Sequence, residues 1–263
     1  MSSDGIYIRQ YRPSDLPQIR DLLFEGFATS EGSIVDAGRR RAPFMRTSIL
    51  AYLLGAAGLF LFSQSERRMS VATGVAALLC IAGIALFVAA RREISHFVQQ
   101  ICEDALASDM RDITAHYCAP GGTFLVAARP YACDKGKMYG DAQPEGEAIL
   151  GYVGLEYLPE KNPETADVRR MIISAKYRRQ GLATQLMRVI IAHSKTLPRL
   201  RYLTVGTSDL QPAARRLYQG LGWELTSTEP IGNWLATRMY WSFRRPVDIP
   251  TQTYAAVGLP ESE

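Results

Sequence analysis

Two stretches of the chain carry no charge. Residues 47–62 read TSILAYLLGAAGLFLF, and residues 71–90 read VATGVAALLCIAGIALFVAA. At about 1.5 Å per residue, a helix over the second stretch spans roughly 30 Å, the thickness of a bilayer's hydrocarbon core. The first reaches roughly 24 Å and needs local thinning, snorkelling arginines or a re-entrant path to span. Soluble helices of this length keep a polar face, and neither stretch has one. The polar segment SQSERRMS joins them as a short turn. The pair reads as a membrane hairpin, and Gly55, Gly58, Gly74 and Gly83 allow its helices to approach closely.

Arginines orient the hairpin. Arg39, Arg40, Arg41 and Arg46 precede it and Arg91 and Arg92 follow, while the turn holds only Arg67 and Arg68. The excess at the outer ends places both in the cytosol. The net charge of +4 is mild, with 30 Lys+Arg against 26 Asp+Glu, and no long basic tract points to nucleic acid. Cys80, Cys102, Cys118 and Cys133 form no C-x-x-C pair, so neither a metal site nor a disulfide framework is expected. The polar MSSDGIYIRQ lacks the apolar core of a signal peptide.

Outside the hairpin, strand and helix patterns alternate. Strands are expected at 6–11, 123–130, 148–157, 165–174, 201–208 and 233–243. Helices are expected at 15–28, 92–107, 109–117, 181–194 and 212–221. The Gly/Pro/Asp/Lys-rich segment 131–147 reads as a hairpin loop, and 246–263 as a loosely ordered tail.

The chemistry concentrates at residues 168–194, where a β-branched strand runs into Arg178-Arg179-Gln180-Gly181-Leu182-Ala183 and an amphipathic helix begins. The first-turn amides of a helix lack helical acceptors, and the helix dipole adds about half a positive charge there. Such a terminus suits an anion such as a pyrophosphate. Gly181 permits a tight turn, the two arginines add charge and Thr184 adds a hydroxyl. Some thirty residues on, Leu210–Glu224 reads LQPAARRLYQGLGWE, with Tyr218 on a helix ahead of Gly222 and Trp223.

Together these segments resemble the GNAT acyltransferase superfamily. The 178–183 segment looks like its pyrophosphate loop, Q/R-x-x-G-x-G/A, and Leu217-Tyr218-x-x-x-Gly222-Trp223 looks like its L-Y-x-x-x-G-F signature. The similarity is closer to the camello-type, N-acetyltransferase 8-like subfamily, in which a membrane hairpin also interrupts the domain after the first helix. Asp109-Met110-x-Asp112-Ile113 resembles its D-M-x-D-I segment, and Leu210-Gln211 with Ala213 matches its variant ahead of the tyrosine. Arg179 stands where the loop commonly has Gly, and Ala183 replaces the second Gly of some members.

The resemblance implies an α/β (α+β) fold, with a mixed, mostly antiparallel sheet flanked by helices and the hairpin inserted into it. Residues 1–45 would supply the N-terminal strand and helix, 46–92 the hairpin, 93–245 the main part of the domain and 246–263 the tail. It implies an acetyl-CoA-dependent N-acetyltransferase on the endoplasmic reticulum membrane, facing the cytosol, with a small-molecule amine and the lipid bilayer as partners and no metal. Ile173 and Ser174 would hold the pantetheine, and Arg178, Arg179, Gln180, Gly181, Leu182, Ala183 and Thr184 the pyrophosphate, with Gln211 beside them. Tyr218 would protonate the departing thiolate, a role open to a phenol titrating near 10 against a thiol near 8.5.

The general base stays open between Asp167 and Glu156. Asp109 and Asp112, a helical turn apart in the expected helix, either cap a helix and pair with a nearby arginine or meet the substrate amine. Arg169 and Arg170 are expected on opposite faces of their strand, so that one at most pairs with a substrate carboxylate. No cysteine occupies an evident nucleophile position, which favours direct attack by a neutral amine. A small amino acid or cysteine S-conjugate is the expected acceptor. A membrane-bound protein lysine acetyltransferase and a silent CoA-binding scaffold are the alternatives.

Overall fold

A computed structural model describes residues 5–64, 71–118, 121–130 and 146–247. Most of the expected turn at 63–70, most of the loop at 131–147 and most of the tail lie outside the described residues, and Ser63 and Gln64 of that turn belong to a helix. The sheet begins with β1 (Tyr7–Gln10), β2 (Thr123–Pro130), β3 (Glu147–Glu156) and β4 (Thr165–Ile173). It continues with β5 (Tyr202–Ser208), β6 (Glu224–Ile231) and β7 (Arg238–Pro246). The spatial order is β1-β2-β3-β4-β5-β7-β6. Every neighbouring pair is antiparallel except β4 with β5. β1 precedes the apolar stretches in sequence and pairs with β2, which follows them. The hairpin is thus an insertion within one sheet.

Strand periodicity divides the core in two. Phe124, Val126 and Ala128 of β2 join α1 (Leu16–Phe24) on one face, whereas Leu125 and Ala127 join α6 (Leu182–Ser194) on the other. α7 (Pro212–Gly220) lies on the α6 side through Tyr218. A short α2 (Ile34–Arg41), unforeseen in the sequence, is capped by Ser33, whose hydroxyl accepts from the Asp36 N–H.

The apolar stretches form α3 (Arg46–Gln64) and α4 (Val71–Ala107), both long and apolar enough to cross a membrane. The helix expected at 92–107 continues the second apolar stretch, and α4 runs through Arg91 and Arg92 without a break. Its first half exposes Leu78, Ile81 and Ile84, and its second half buries Ala90, Ile94, Val98, Cys102 and Ala105 in one stripe. One rod therefore carries an apolar stem and also packs on the sheet. The turn between β6 and β7 ties down the stem's base. Thr47 donates to the Leu235 carbonyl (3.0 Å) and Asn233 donates to Glu93 (2.7 Å).

β6 was not expected, and the strand read at 233–243 begins only at Arg238. ELTSTEPI is an edge strand exposed on most positions and carries Pro230, so it lacks the alternation that reveals half-buried strands.

Two of the four hairpin glycines make the close approach. A Cβ on Gly58 would stand 2.7 Å from the Ala76 carbonyl oxygen, and one on Gly83 2.7 Å from that of Ala51. Nothing lies within 4 Å of such an atom at Gly74. Gly83→Val is expected to overpack the α3–α4 contact at a cost of about 1–3 kcal/mol, while Gly74→Val is near neutral. Thermal melting of the two variants in detergent checks this ordering.

Candidate active site

β4 and β5 pair only from Thr165 to Val168 against Tyr202 to Val205. Beyond those residues they part, and a cleft of about 690 Å³ opens between them. Phe97 and Ile101 of α4 close it on one side, and Tyr240 and Ser242 of β7 on another.

A bulge in β4 sets the cleft's charges. Gly154 faces Arg169 and Tyr152 faces Ile172, so β4 carries one residue more than its partner, and Arg170 takes a positive φ of 55°. This breaks the alternation that put Arg169 and Arg170 on opposite faces: both line the cleft. Each is already held. Arg169 lies 3.1 Å from both oxygens of Glu156, and Arg170 grips Asp109 bidentately at 2.7 and 2.8 Å.

Asp109 and Asp112 do not share a helical face. The helix α5 is only Ile113–Tyr117, and Asp109 sits in the turn before it, 2% exposed. Its carboxylate also accepts from the Tyr117 hydroxyl and from Ser108. Burial opposes its ionisation, but the Arg170 and Tyr117 hydrogen bonds outweigh that and hold its pKa down to about 2. Asp112 caps α5 by accepting from the Ala115 N–H at 2.9 Å. Helix capping and pairing with arginine account for both residues.

Asp167 and Glu156 stand opposite each other on β4 and β3, and both line the cleft. Thr204 donates to Asp167. Asp167 is exposed to the open cleft, yet partial desolvation raises its pKa, and the neighbouring Glu156 charge raises it further. Glu156 also bonds the ring of His116, a residue that belongs to no motif.

Tyr218 lines the cleft from α7, 4% exposed, packed against Trp223 and Phe243. Burial lifts its hydroxyl pKa above the usual phenol value. Gln211 lines the cleft too and accepts from the Thr207 hydroxyl at 3.1 Å.

The loop from β4 to α6 turns sharply ahead of the helix. Arg179 has φ 61° and Gly181 φ 82°, and Gly181 precedes α6 with nothing within 4 Å of where a side chain would start. Arg179 thus takes, at some conformational cost, the left-handed backbone that glycine adopts freely. Leu182 is buried, and Ala183 and Thr184 follow in the first helical turn. Gln180 donates to the Lys176 carbonyl at 3.3 Å.

Arg178 turns inward. It donates to the Ile173 carbonyl (3.1 Å), the Glu31 carbonyl (2.8 Å) and Ser30 (3.1 Å). The Ser174 N–H is taken by the Leu150 carbonyl, and its hydroxyl donates to Glu25 at 3.0 Å. Glu25 lies in a five-residue π-helical turn after α1 and also accepts from the Ala175 N–H at 2.8 Å. Its part in pinning the end of β4 had no sequence signature, because the two segments are far apart in the chain.

This split sheet, with its glycine-opened helix terminus and buried tyrosine, is the framework of an acyltransferase, and residues 107–223 match the Acetyltransferase (GNAT) family pattern, so the chain carries a GNAT acetyltransferase domain. Its relatives are N-acetyltransferase 8-like. N-acetylaspartate synthetase of Xenopus tropicalis is 24% identical over 85% of this chain and 71% of its own length. Rattus norvegicus N-acetyltransferase 8F1 is 28% identical over 84% of this chain and 86% of its own. Human N-acetyltransferase 8B is 27% identical, covering 87% and 88% respectively. Enzymes of the GNAT family use acetyl-CoA.

Removing the Asp109 carboxylate would leave the Arg170 guanidinium buried and uncompensated. Asp109→Asn is expected to destabilise the protein by about 3–5 kcal/mol, measured by denaturant unfolding in detergent. The folded-state pKa of Asp109 is depressed, so its contribution is complete above the ordinary carboxylate range near pH 4 and fades as pH falls towards about 2. The variant should lack that part of the acid slope.

Proposed function

We propose that this enzyme acetylates the α-amine of a small, carboxylate-bearing acceptor, an amino acid or a cysteine S-conjugate, from a position anchored in the endoplasmic reticulum membrane with its catalytic domain in the cytosol. The observation that carries the reading is the convergence of Asp167, Glu156 and Tyr218 on the cleft where β4 and β5 part. The relatives named for N-acetylaspartate synthesis support an amino-acid acceptor.

The groups present fit acetyl-CoA. The amides at the start of α6, opened by Gly181 and flanked by Arg179, suit the pyrophosphate, and the parted strand edges suit an extended pantetheine arm. Arg178, tied to Ser30, Glu31 and Ile173, would shape this loop, and Ser174 would do so through Glu25.

Asp167, its basicity raised by partial desolvation and by the Glu156 charge, takes the proton that the acceptor ammonium loses. The neutral amine then attacks the thioester carbonyl, a C–N bond forms, the C–S bond breaks, and the second proton that the nitrogen loses passes to solvent, from which Tyr218 is reprotonated after each turnover. Tyr218, which burial keeps protonated at neutral pH, donates its proton to the departing thiolate. An α-amine titrates near 7.7–8.0 and a lysine side chain near 10.4, so an α-amine places the lighter demand on a modest carboxylate base.

This assignment has a pH signature. The base must be ionised, so kcat/KM should fall as pH drops through the raised Asp167 pKa. Asp167→Asn should cost roughly 10²–10⁴-fold and remove that limb. Glu156→Gln, which takes away the charge that helps raise Asp167, should shift the limb to lower pH. If Glu156→Gln instead abolishes the limb, Glu156 is the base.

The topology is checked separately. In sealed microsomes, tags at both termini should be open to protease, because β1 and β2 lie on either side of the hairpin in one sheet. A protected C-terminus would overturn the cytosolic orientation.

A further inference from the structure

Arg238 begins β7, and the row it starts belongs to the cleft. Side chains two apart on a strand share a face, about 7 Å between successive members. Tyr240 and Ser242, next in that row, line the cleft, as does Ile231, the cross-strand partner of Arg238. The Arg238 guanidinium lies over the ring of Phe97, 3.6 Å from its centroid, and Phe97 lines the cleft from α4. Arg238 therefore stands at one end of the cleft, screened from it by a single aromatic ring.

This guanidinium is 1% exposed, and among the described residues none of its three nitrogens has a hydrogen-bond partner. The carboxylates whose charge it feels are Glu93 and Asp209. Glu93 accepts from Asn233 at 2.7 Å, and Asp209 is bridged to Arg41 at 2.6 Å through Oδ2, its buried Oδ1 making no hydrogen bond, to Arg238 or to any other described residue. The other arginines lining the cleft are already paired, Arg169 with Glu156 and Arg170 with Asp109. The turn next to Arg238 keeps space for it: at Gly232 a Cβ would stand 2.8 Å from Nη2, and φ is 91°. A buried cation with no hydrogen-bonded anion is costly, and a planar fork of donors matches a carboxylate.

We infer that Arg238 is the anchor for a carboxylate of the acceptor, reached when the Phe97 ring swings aside, and that it selects carboxylate-bearing amines over their decarboxylated analogues. The inference rests on the acetyltransferase reading above and moves carboxylate recognition from β4 to β7. The acceptor would lie along the β7 row, with its amine towards Asp167 and its carboxylate at the α4 end.

The test uses the full-length protein in detergent, as wild type, Arg238→Met and Arg238→Lys. Probes are matched pairs, each an amino acid or cysteine S-conjugate with its decarboxylated amine. Two readouts are taken: kcat and KM with acetyl-CoA, and equilibrium binding by calorimetry in the presence of desulfo-CoA. The wild type should prefer the carboxylated member. Arg238→Met should cut that preference roughly ten- to a hundredfold, the scale of a charge-assisted bond, through KM and binding rather than kcat. Arg238→Lys should keep part of it. The Met variant should melt no lower than the wild type, since an apolar side chain of similar length replaces an unpaired buried charge.

A Met variant that keeps the preference, or weakens both members of each pair equally, overturns the assignment. So does a wild type whose binding ignores the carboxylate, and if that protein still turns over amines, the acetyltransferase reading stands. Carboxylate-dependent binding with no turnover of any amine would instead overturn the acetyltransferase reading and leave the Arg238 site in place.

Discussion

The parting of β4 and β5 is the constraint on which the rest of the molecule depends. Two parallel strands share four register pairs and then separate, leaving edges in the middle of a seven-stranded sheet. Backbone groups inside a protein need partners, so a sheet split at its centre favours whatever can lie between the halves. The split also places side chains. Asp167 is in the last paired stretch, Arg169 and Arg170 come just past it, and Gly206 to Ser208 line the opposite edge. Tyr218, on the helix after β5, reaches the same space.

Keeping the strands apart requires fixing the far end of β4, and elements distant in sequence do so. The bulge at Arg170 is locked by Asp109 from the turn after α4. The end of β4 is gripped by Glu25, and the loop beyond it by Ser30 and Glu31 through Arg178. Glu25, Ser30 and Glu31 come from the segment between α1 and α2, ahead of the hairpin, and Asp109 comes from behind it. The insertion therefore interrupts the sequence of the domain without separating its site, because β1 and α1 return to the sheet beside β2 and β3.

α4 extends this coupling to the apolar stem. Its exposed first half and buried second half belong to one uninterrupted helix, and Phe97 and Ile101 on it form a wall of the cleft. The β6–β7 turn grips the same region through Asn233 and Leu235. The cleft is thus bounded by the helix that also forms the stem, and a shift of the stem would be felt at Phe97.

The amino-acid sequence by itself determined the framework. The uncharged stretches fixed the two long helices, period-two patterning fixed β2 to β5, and the spacing of Arg178–Ala183 and Leu217–Trp223 marked the loop and the tyrosine helix. These signals are local, written in runs of a few residues. Tertiary structure alone decided what those residues do. A one-residue bulge overrode the alternation assigned to Arg169 and Arg170, and contacts across more than sixty positions turned Asp109 from a candidate substrate ligand into the partner of Arg170. The edge strand β6 stayed hidden because exposure erased its pattern. The unpaired state of Arg238 depends on where Glu93 and Asp209 point, and side-chain pairing in three dimensions has no counterpart in the order of residues along the chain.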